Sequence, residues 1–237
     1  MYLEKFFEHL ESKWEGSLFT VKDVEQIHHR AKEYLYRLEK AGKVERVCWG
    51  WYYLPGEIKD VWDFLAKDRG FKVVIKQTAS SIWNYDFIHR NVYRLAVKNP
   101  SYKRALKEFA RKKSWIFEVE YYDNLKKKFD YQKVDGLFVE KPDSCIVNCT
   151  VDWSFLDAFA TLYFRRDEIP LENVKNLGRW KRISKTNVRA WNVIKYGCNL
   201  LNKYLNEDVF NVRDTSLRRE DLKELVEEAV EKVVEFA

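Results

Sequence analysis

The sequence predicts a mixed α/β (α+β) protein. An N-terminal winged helix-turn-helix over residues 1–56 is followed by a mixed α/β domain with C-terminal helices over residues 57–237. Three observations carry that prediction. Helical apolar spacing in three short segments precedes residue 42, and a stretch that alternates around one glycine, "KVERVCWGWYYLP", follows them. Between residues 57 and 150, strand-like and helix-like segments are interleaved. From residue 152 onward, apolar residues recur at helical spacing.

Residues 2–14 place Leu3, Phe6, Phe7, Leu10 and Trp14 on one face of a first helix, which Gly16 and Ser17 end. In "FTVKDVEQI", Thr20 and Asp23 have capping-box spacing, with Asp in place of the usual Glu. Phe19 before the cap and Val24 inside the helix fit a hydrophobic staple, so a second helix starts near Val21. A third runs over Arg30–Lys40, with Ala31, Tyr34, Leu35, Leu38 and Ala41 on its inner face and Gly42 suited to a left-handed cap. The hairpin turns at Gly50 and ends at Pro55-Gly56. Val44, Tyr52 and Leu54 are expected in the core, and Trp49 and Trp51 are not both expected outside. Three helices and a hairpin in this order make a winged helix, whose third helix is the one shaped for a DNA major groove.

Further along, Val61–Asp68 reads as a short helix, "FKVVIK" as a strand, and "TASSIWNYDF" as a helix opened by Thr78. "NVYRLAVK" is a strand and Pro100–Ser114 a helix with proline at its start. "WIFEVEYY", "VDGLFVE" and "SCIVNCT" read as strands, the last two separated by a turn at Lys141-Pro142-Asp143. Asp152 is the expected N-cap of a helix over "WSFLDAFATLYFRR". Helices over 187–206 and 216–236 complete the chain.

Composition excludes several classes. At 46 % hydrophobic and 16 % aromatic, the chain can bury a core. It has no apolar run long enough to span a bilayer, and its Glu-rich start lacks a signal-peptide pattern. A cytoplasmic location with no membrane partner is expected. Cys48, Cys145, Cys149 and Cys198 have no metal-site spacing, which points to structural thiols and no metal. GxSxG, HExxH and P-loop patterns are absent, so neither a cofactor nor an enzymatic activity is expected. The nearest approach to a catalytic set is "VDGLFVEK", where Asp135, Glu140 and Lys141 hint at a metal-dependent nuclease. Adjacency, however, points Glu140 and Lys141 to opposite strand faces.

The net charge of +6 is uneven. Residues 1–56 are balanced overall, yet the window His28–Arg46 is basic. On the third helix, His29, Arg30, Lys32, Tyr36, Arg37 and Lys40 are candidates to meet double-stranded DNA, with Arg46 and Trp49 on the wing. Two further basic runs lie at Lys98–Lys113 and Lys175–Lys195. Lys103, Arg104, Lys107 and Arg111 in the first, and Arg179, Lys181 and Arg182 in the second, are candidates for a partner surface. A solvated face is the usual meaning of such a run, and extra phosphate contacts or an acidic protein partner are the alternatives.

The segment "FTVKDVEQ…YLYRLEKAGKVERVCWGWYYLP" resembles the N-terminal winged helix of abortive-infection (AbiE-type) antitoxins and related regulators. There a helix ends in Leu-x-x-x-Gly and a hairpin in Gly-x-Tyr-x-Leu-Pro. Leu38 and Gly42, then Gly50, Tyr52, Leu54 and Pro55, take those places. Downstream, "NCTVDWSFLDAFATLYF" is similar to a second family pattern, with Asp152 at the acidic helix start and Phe155-Leu156-Asp157 in place of Leu-Leu-Asp. Val151 and Trp153 depart from it. The resemblance implies a transcriptional regulator that binds its own operator and neutralises a cognate nucleotidyltransferase-like toxin. The competing expectations are a protein–protein module without DNA binding, and a metal-dependent nuclease.

Overall fold

A computed structural model describes residues 3–67, 73–88, 91–125 and 129–236. Tyr2 of the first expected helix, Asp68 of the fourth, and Phe71 and Lys72 of the first expected downstream strand lie outside the described residues. The chain is an α+β protein. Its elements are α1 (Leu3–Trp14), β1 (Leu18–Thr20), α2 (Val21–Glu25), α3 (Ala31–Lys40), β2 (Glu45–Cys48), β3 (Trp51–Tyr53), α4 (Val61–Ala66) and β4 (Val73–Ile75). After a 3-10 turn at Gln77–Ala79 come α5 (Ser80–Trp83), β5 (Val92–Val97), α6 (Pro100–Lys112), β6 (Ile116–Tyr121), β7 (Tyr131–Val134) and β8 (Leu137–Glu140). The remainder is helical: α7 (Pro142–Val151), α8 (Phe155–Phe164), α9 (Leu171–Trp180), α10 (Ala190–Leu205) and α11 (Glu220–Phe236). Among the described residues, no helix is long and apolar enough to cross a membrane.

Two compact units form. One is Met1–Ile75, Asn91–Phe129 and Lys133–Phe138; the other is Lys76–Arg90, Asp130–Gln132 and Val139–Ala237. The units therefore do not divide at residue 56 as expected, and the reason lies in β3. The first six elements run in winged-helix order, with a small antiparallel sheet of order β1-β3-β2. As the central strand, β3 has neighbours on both sides and alternates its side chains between two faces. Tyr52 turns inward onto Phe19, ring centroids 6.0 Å apart, and joins Phe6, Leu10, Leu35, Leu38, Val44 and Leu54 in the helical core. Trp51 and Tyr53 turn the other way and meet α6. Trp51 lies 4.9 Å from Tyr102 and donates its indole N–H to Ser101 Oγ at 3.2 Å, while Tyr53 lies 4.5 Å from Phe109.

Helix α6 is thus shared. It is also the crossover between β5 and β6, which pair in parallel from Val92↔Ile116 to Val97↔Tyr121, while β4 pairs antiparallel with β5. The larger sheet has the order β6-β5-β4-β8-β7. Asn99 caps α6 by accepting from Ser101 N at 2.8 Å, and Pro100 opens it.

Local signals at the N-terminal end are realised as expected. Thr20 Oγ1 accepts from Asp23 N at 3.3 Å, and Asp23 Oδ2 accepts from Thr20 N at 2.7 Å, closing the capping box. Helix α3 ends in a Schellman arrangement at Gly42 (φ +68°), with Lys43 N donating to Leu38 O at 2.9 Å and Gly42 N to Glu39 O at 3.0 Å.

The second unit corrects three expectations. "SCIVNCT" is not a strand but part of α7, and Lys141-Pro142-Asp143 is not a turn between strands but the helix entry. A short apolar run buried on every side carries no period, so helix and strand look alike in sequence. Proline at the first helical position and Cys145 N donating to Lys141 O at 2.8 Å decide for the helix. Asp152 does not cap α8; it follows the end of α7, accepts from Gln77 Nε2 at 2.6 Å, and leaves Ser154 at the N-cap position. Helix α9 has no counterpart in the sequence reading, because it buries little besides Val174 and Gly178.

In this unit α8 is central, burying Phe155, Ala158, Phe159, Ala160, Thr161 and Leu162. Helix α10 approaches it at Gly197, where an added Cβ would sit 2.0 Å from the fully buried Phe159 ring. Gly197→Ala is therefore expected to destabilise the protein by about 1–3 kcal/mol through overpacking. In thermal unfolding that is a drop of roughly 2–12 °C for a chain of this size. An unchanged midpoint would mean the two helices do not pack as described.

Candidate nucleic-acid interface

Helix α3 faces two ways by its spacing. Ala31, Tyr34, Leu35 and Leu38 are buried, while Lys32, Tyr36, Arg37 and Lys40 are exposed. His29 and Arg30 are exposed just before the helix, and Arg46 and Trp49 are exposed on the wing. All eight residues expected to meet DNA are therefore on the surface of one unit.

Sequence reading missed the carboxylates that pair with three of them, Arg30, Lys32 and Arg37. Glu33 accepts from Arg30 through Nε and Nη2, both at 2.7 Å, and its carboxylate pairs with Arg37 Nη2 at 2.5 Å. The Arg30 hydrogen bonds hold the Glu33 carboxyl below its ordinary pKa. Lys32 pairs with Glu25 at 3.2 Å, and Lys40 lies over the Tyr36 ring at 5.7 Å. These exposed pairs add little stability. They place the Arg30 and Arg37 guanidinium groups against one carboxylate, Glu33. The i, i+3 and i, i+4 spacing of Arg30, Glu33 and Arg37 is the signal that reveals this in the sequence.

The wing tip is a two-residue turn, Trp49-Gly50, closing between Cys48 and Trp51, with Gly50 at φ +77°. The register shifts between Arg46 and Cys48, so Val47 bulges inward and is buried. That geometry separates the two tryptophans. Trp49 is 83 % exposed with the Arg46 guanidinium 5.7 Å over its ring, and Trp51 is buried on α6. A groove of about 1190 Å³ runs beside the wing. Its walls come from α2 (Lys22, Asp23, Glu25), the wing (Arg46, Trp49 to Tyr52), the start of α6 (Lys98 to Tyr102) and Lys32. Lys22 and Lys98 were not among the sequence candidates; only the fold brings them to the wing.

The partner candidates separate. Arg104, Lys107 and Arg111 are exposed along α6 and Lys103 is half-buried; Arg111 pairs with Glu108 at 2.9 Å. Arg179 and Arg182 are exposed beside Trp180, itself 82 % exposed. Lys181 turns inward and donates to Asn148 Oδ1 at 2.5 Å.

Asn148 also donates to Glu140 Oε1, so Glu140, Asn148 and Lys181 form one chain of polar contacts. Glu140 is only 2 % exposed, and its Oε2 has no hydrogen-bond partner. Of the other members of the faint nuclease set, Asp135 is in the β7–β8 turn with φ +47°, and Lys141 pairs with Asp130 at 2.9 Å. Among the described residues, no group of three or more His, Cys, Asp or Glu is placed to hold a metal ion. All four cysteines are free thiols, and Cys145 and Cys149 lie one helical turn apart with sulfurs 3.9 Å from each other.

Burial pushes the Glu140 carboxyl up to about 7 from an ordinary 4.5, against the opposing pull of Lys181, the Asn148 hydrogen bond and Lys76. The folded chain then holds a proton that the unfolded chain releases. Its stabilising contribution is complete below about pH 4.5 and is lost as pH rises to about 7. The total is on the order of 3 kcal/mol. Urea unfolding at pH 5 and pH 8 should show the wild type losing stability that Glu140→Gln does not lose; equal pH slopes would remove the buried carboxyl from this account.

No family model matches the chain, and no curated protein matches it. Among solved structures, the chain is similar to the crystal structure of the RV2827C protein from Mycobacterium tuberculosis, at 14 % sequence identity and a TM-score of 0.48. That match covers 98 % of this chain and 80 % of the other.

Proposed function

We propose that this chain is a DNA-binding transcriptional regulator of the AbiE antitoxin type, acting in the cytoplasm. It meets the major groove with α3 and the flanking backbone with the wing. The observation that carries this reading is the uncovered outer side of α3. His29, Arg30, Lys32, Tyr36, Arg37 and Lys40 are all open to solvent, with Arg46 and Trp49 on the same unit. Had the fold covered that side, the chain could have kept its winged helix only as a packing module. On DNA, Glu33 must yield Arg30 and Arg37 to phosphates or base edges, because a carboxylate beside the duplex repels it.

The test is a fluorescence-anisotropy titration with duplex from the protein's own upstream region, across a range of salt. Binding should weaken steeply with salt and favour that duplex over a scrambled one. Arg37→Ala should cost about 1–3 kcal/mol, and Glu33→Gln should tighten binding to both duplexes. Wild-type affinity in Arg37→Ala would remove α3 from the interface.

Trp180 favours a second role beside the first. A large aromatic open to water between Arg179 and Arg182 has the composition of an interface anchor. The antitoxin resemblance gives its partner as a nucleotidyltransferase-like toxin. Calorimetric titration with the product of the adjoining gene should show Trp180→Ala losing about 2 kcal/mol or more, roughly 30-fold. DNA binding should be unaltered. Full toxin affinity in the variant would move the contact elsewhere.

A further inference from the structure

We infer that the groove between α2, the wing and the start of α6 is a second backbone site for the same duplex. In it Lys22, Arg46 and Lys98 take phosphates of one strand running past the wing. This rests on the DNA-binding reading and lengthens its footprint beyond a winged helix alone.

The groove's charge supports a polyanion. Its carboxylates are already engaged within the protein: Asp23 closes the capping box on Thr20, and Glu25 pairs with Lys32. Its lining carries Lys22, Lys32, Arg46 and Lys98 against Asp23 and Glu25, so the net charge of the groove is positive, and among the described residues no carboxylate pairs with Lys22, Arg46 or Lys98. Those three cations come from three different elements, α2, β2 and the residues that lead into α6. Separate cations from three elements on one open groove suit a chain of phosphates better than a single small anion, which several donors would have to surround.

Size and continuity agree. At about 1190 Å³ the groove exceeds the usual range of small-ligand sites, roughly 300–1,000 Å³. Lys32 lines the groove and is also on the exposed side of α3, so the groove and the recognition helix share a cation. The other wall is Trp49, whose exposed ring offers a flat apolar face to a sugar or base edge. The aromatic floor is fixed by core packing. Trp51 and Tyr52 are buried in β3, and Tyr102 is buried in α6.

The test uses the full chain and a duplex extending well beyond the region α3 can cover. Anisotropy titrations across salt compare the wild type with Lys98→Ala, Lys22→Ala and Arg37→Ala. Lys98 and Lys22 are exposed, so folding is not at issue. Each lysine variant should lower the slope of log K against log salt by about 0.9 and weaken binding about eightfold at 0.1 M salt, equally on specific and scrambled duplexes. Hydroxyl-radical footprinting should lose protection at one patch of backbone outside the α3 contact. If Arg37→Ala weakens binding while both lysine variants keep the wild-type slope and footprint, the groove lies off the DNA path and this inference is overturned. If Arg37→Ala is silent as well, the DNA-binding reading itself has failed, and the groove inference with it.

Discussion

Burial of β3 on both faces is the constraint on which the first unit depends. A winged-helix hairpin ordinarily has one side against its helices and one side wet. Here the second side carries Trp51 and Tyr53, and leaving two such rings in water would forfeit roughly 1.5–3 kcal/mol for each. Helix α6 covers them. Phe109, fully buried, takes Tyr53 at 4.5 Å, Phe64 at 4.6 Å and Trp115 at 6.0 Å, so wing, α4 and the run into β6 converge on one ring. Because α6 is also the crossover between parallel strands, the wing is fixed to a sheet rather than left as an isolated hairpin. Isolated hairpins are marginal in water.

That packing has a functional consequence. A rigid wing sets where Trp49 and Arg46 project, and the same contact brings Lys98 beside them. The exposed cations of α3 are arranged by a different device, the shared Glu33. Its two guanidinium partners are paired without being buried. Order in this surface comes from charge pairing, and order beneath it from aromatic contact.

The second unit manages polar burial in another way. Ser80 donates to the buried Asp157 at 2.8 Å, Trp83 donates to Glu140 O at 2.9 Å, and Arg165 donates to Trp83 O at 2.9 Å. Such links satisfy groups that a helical core would otherwise strand. Glu140 is the exception, with one oxygen unmatched, and the uptake of a proton is the cheapest remedy for a carboxyl so placed.

The sequence by itself determined the local structure wherever a short-range rule applies: the Thr20–Asp23 capping box, the Gly42 cap, the Gly50 turn, the helix from Pro100, and the two-sided character of α3. Each depends on residues within a few positions of one another. It also put Lys32, Tyr36, Arg37 and Lys40 on the outer faces of α3, because a helix period leaves them nowhere else to point. Only the tertiary structure decided that α7 is a helix, since full burial erases the pattern that separates helix from strand. Only it decided that the wing belongs with α6, that Trp51 is core while Trp49 is surface, and that Lys181 faces inward to Asn148. Those outcomes turn on what covers a face, and a face is covered by residues distant in the chain whose approach no local spacing encodes.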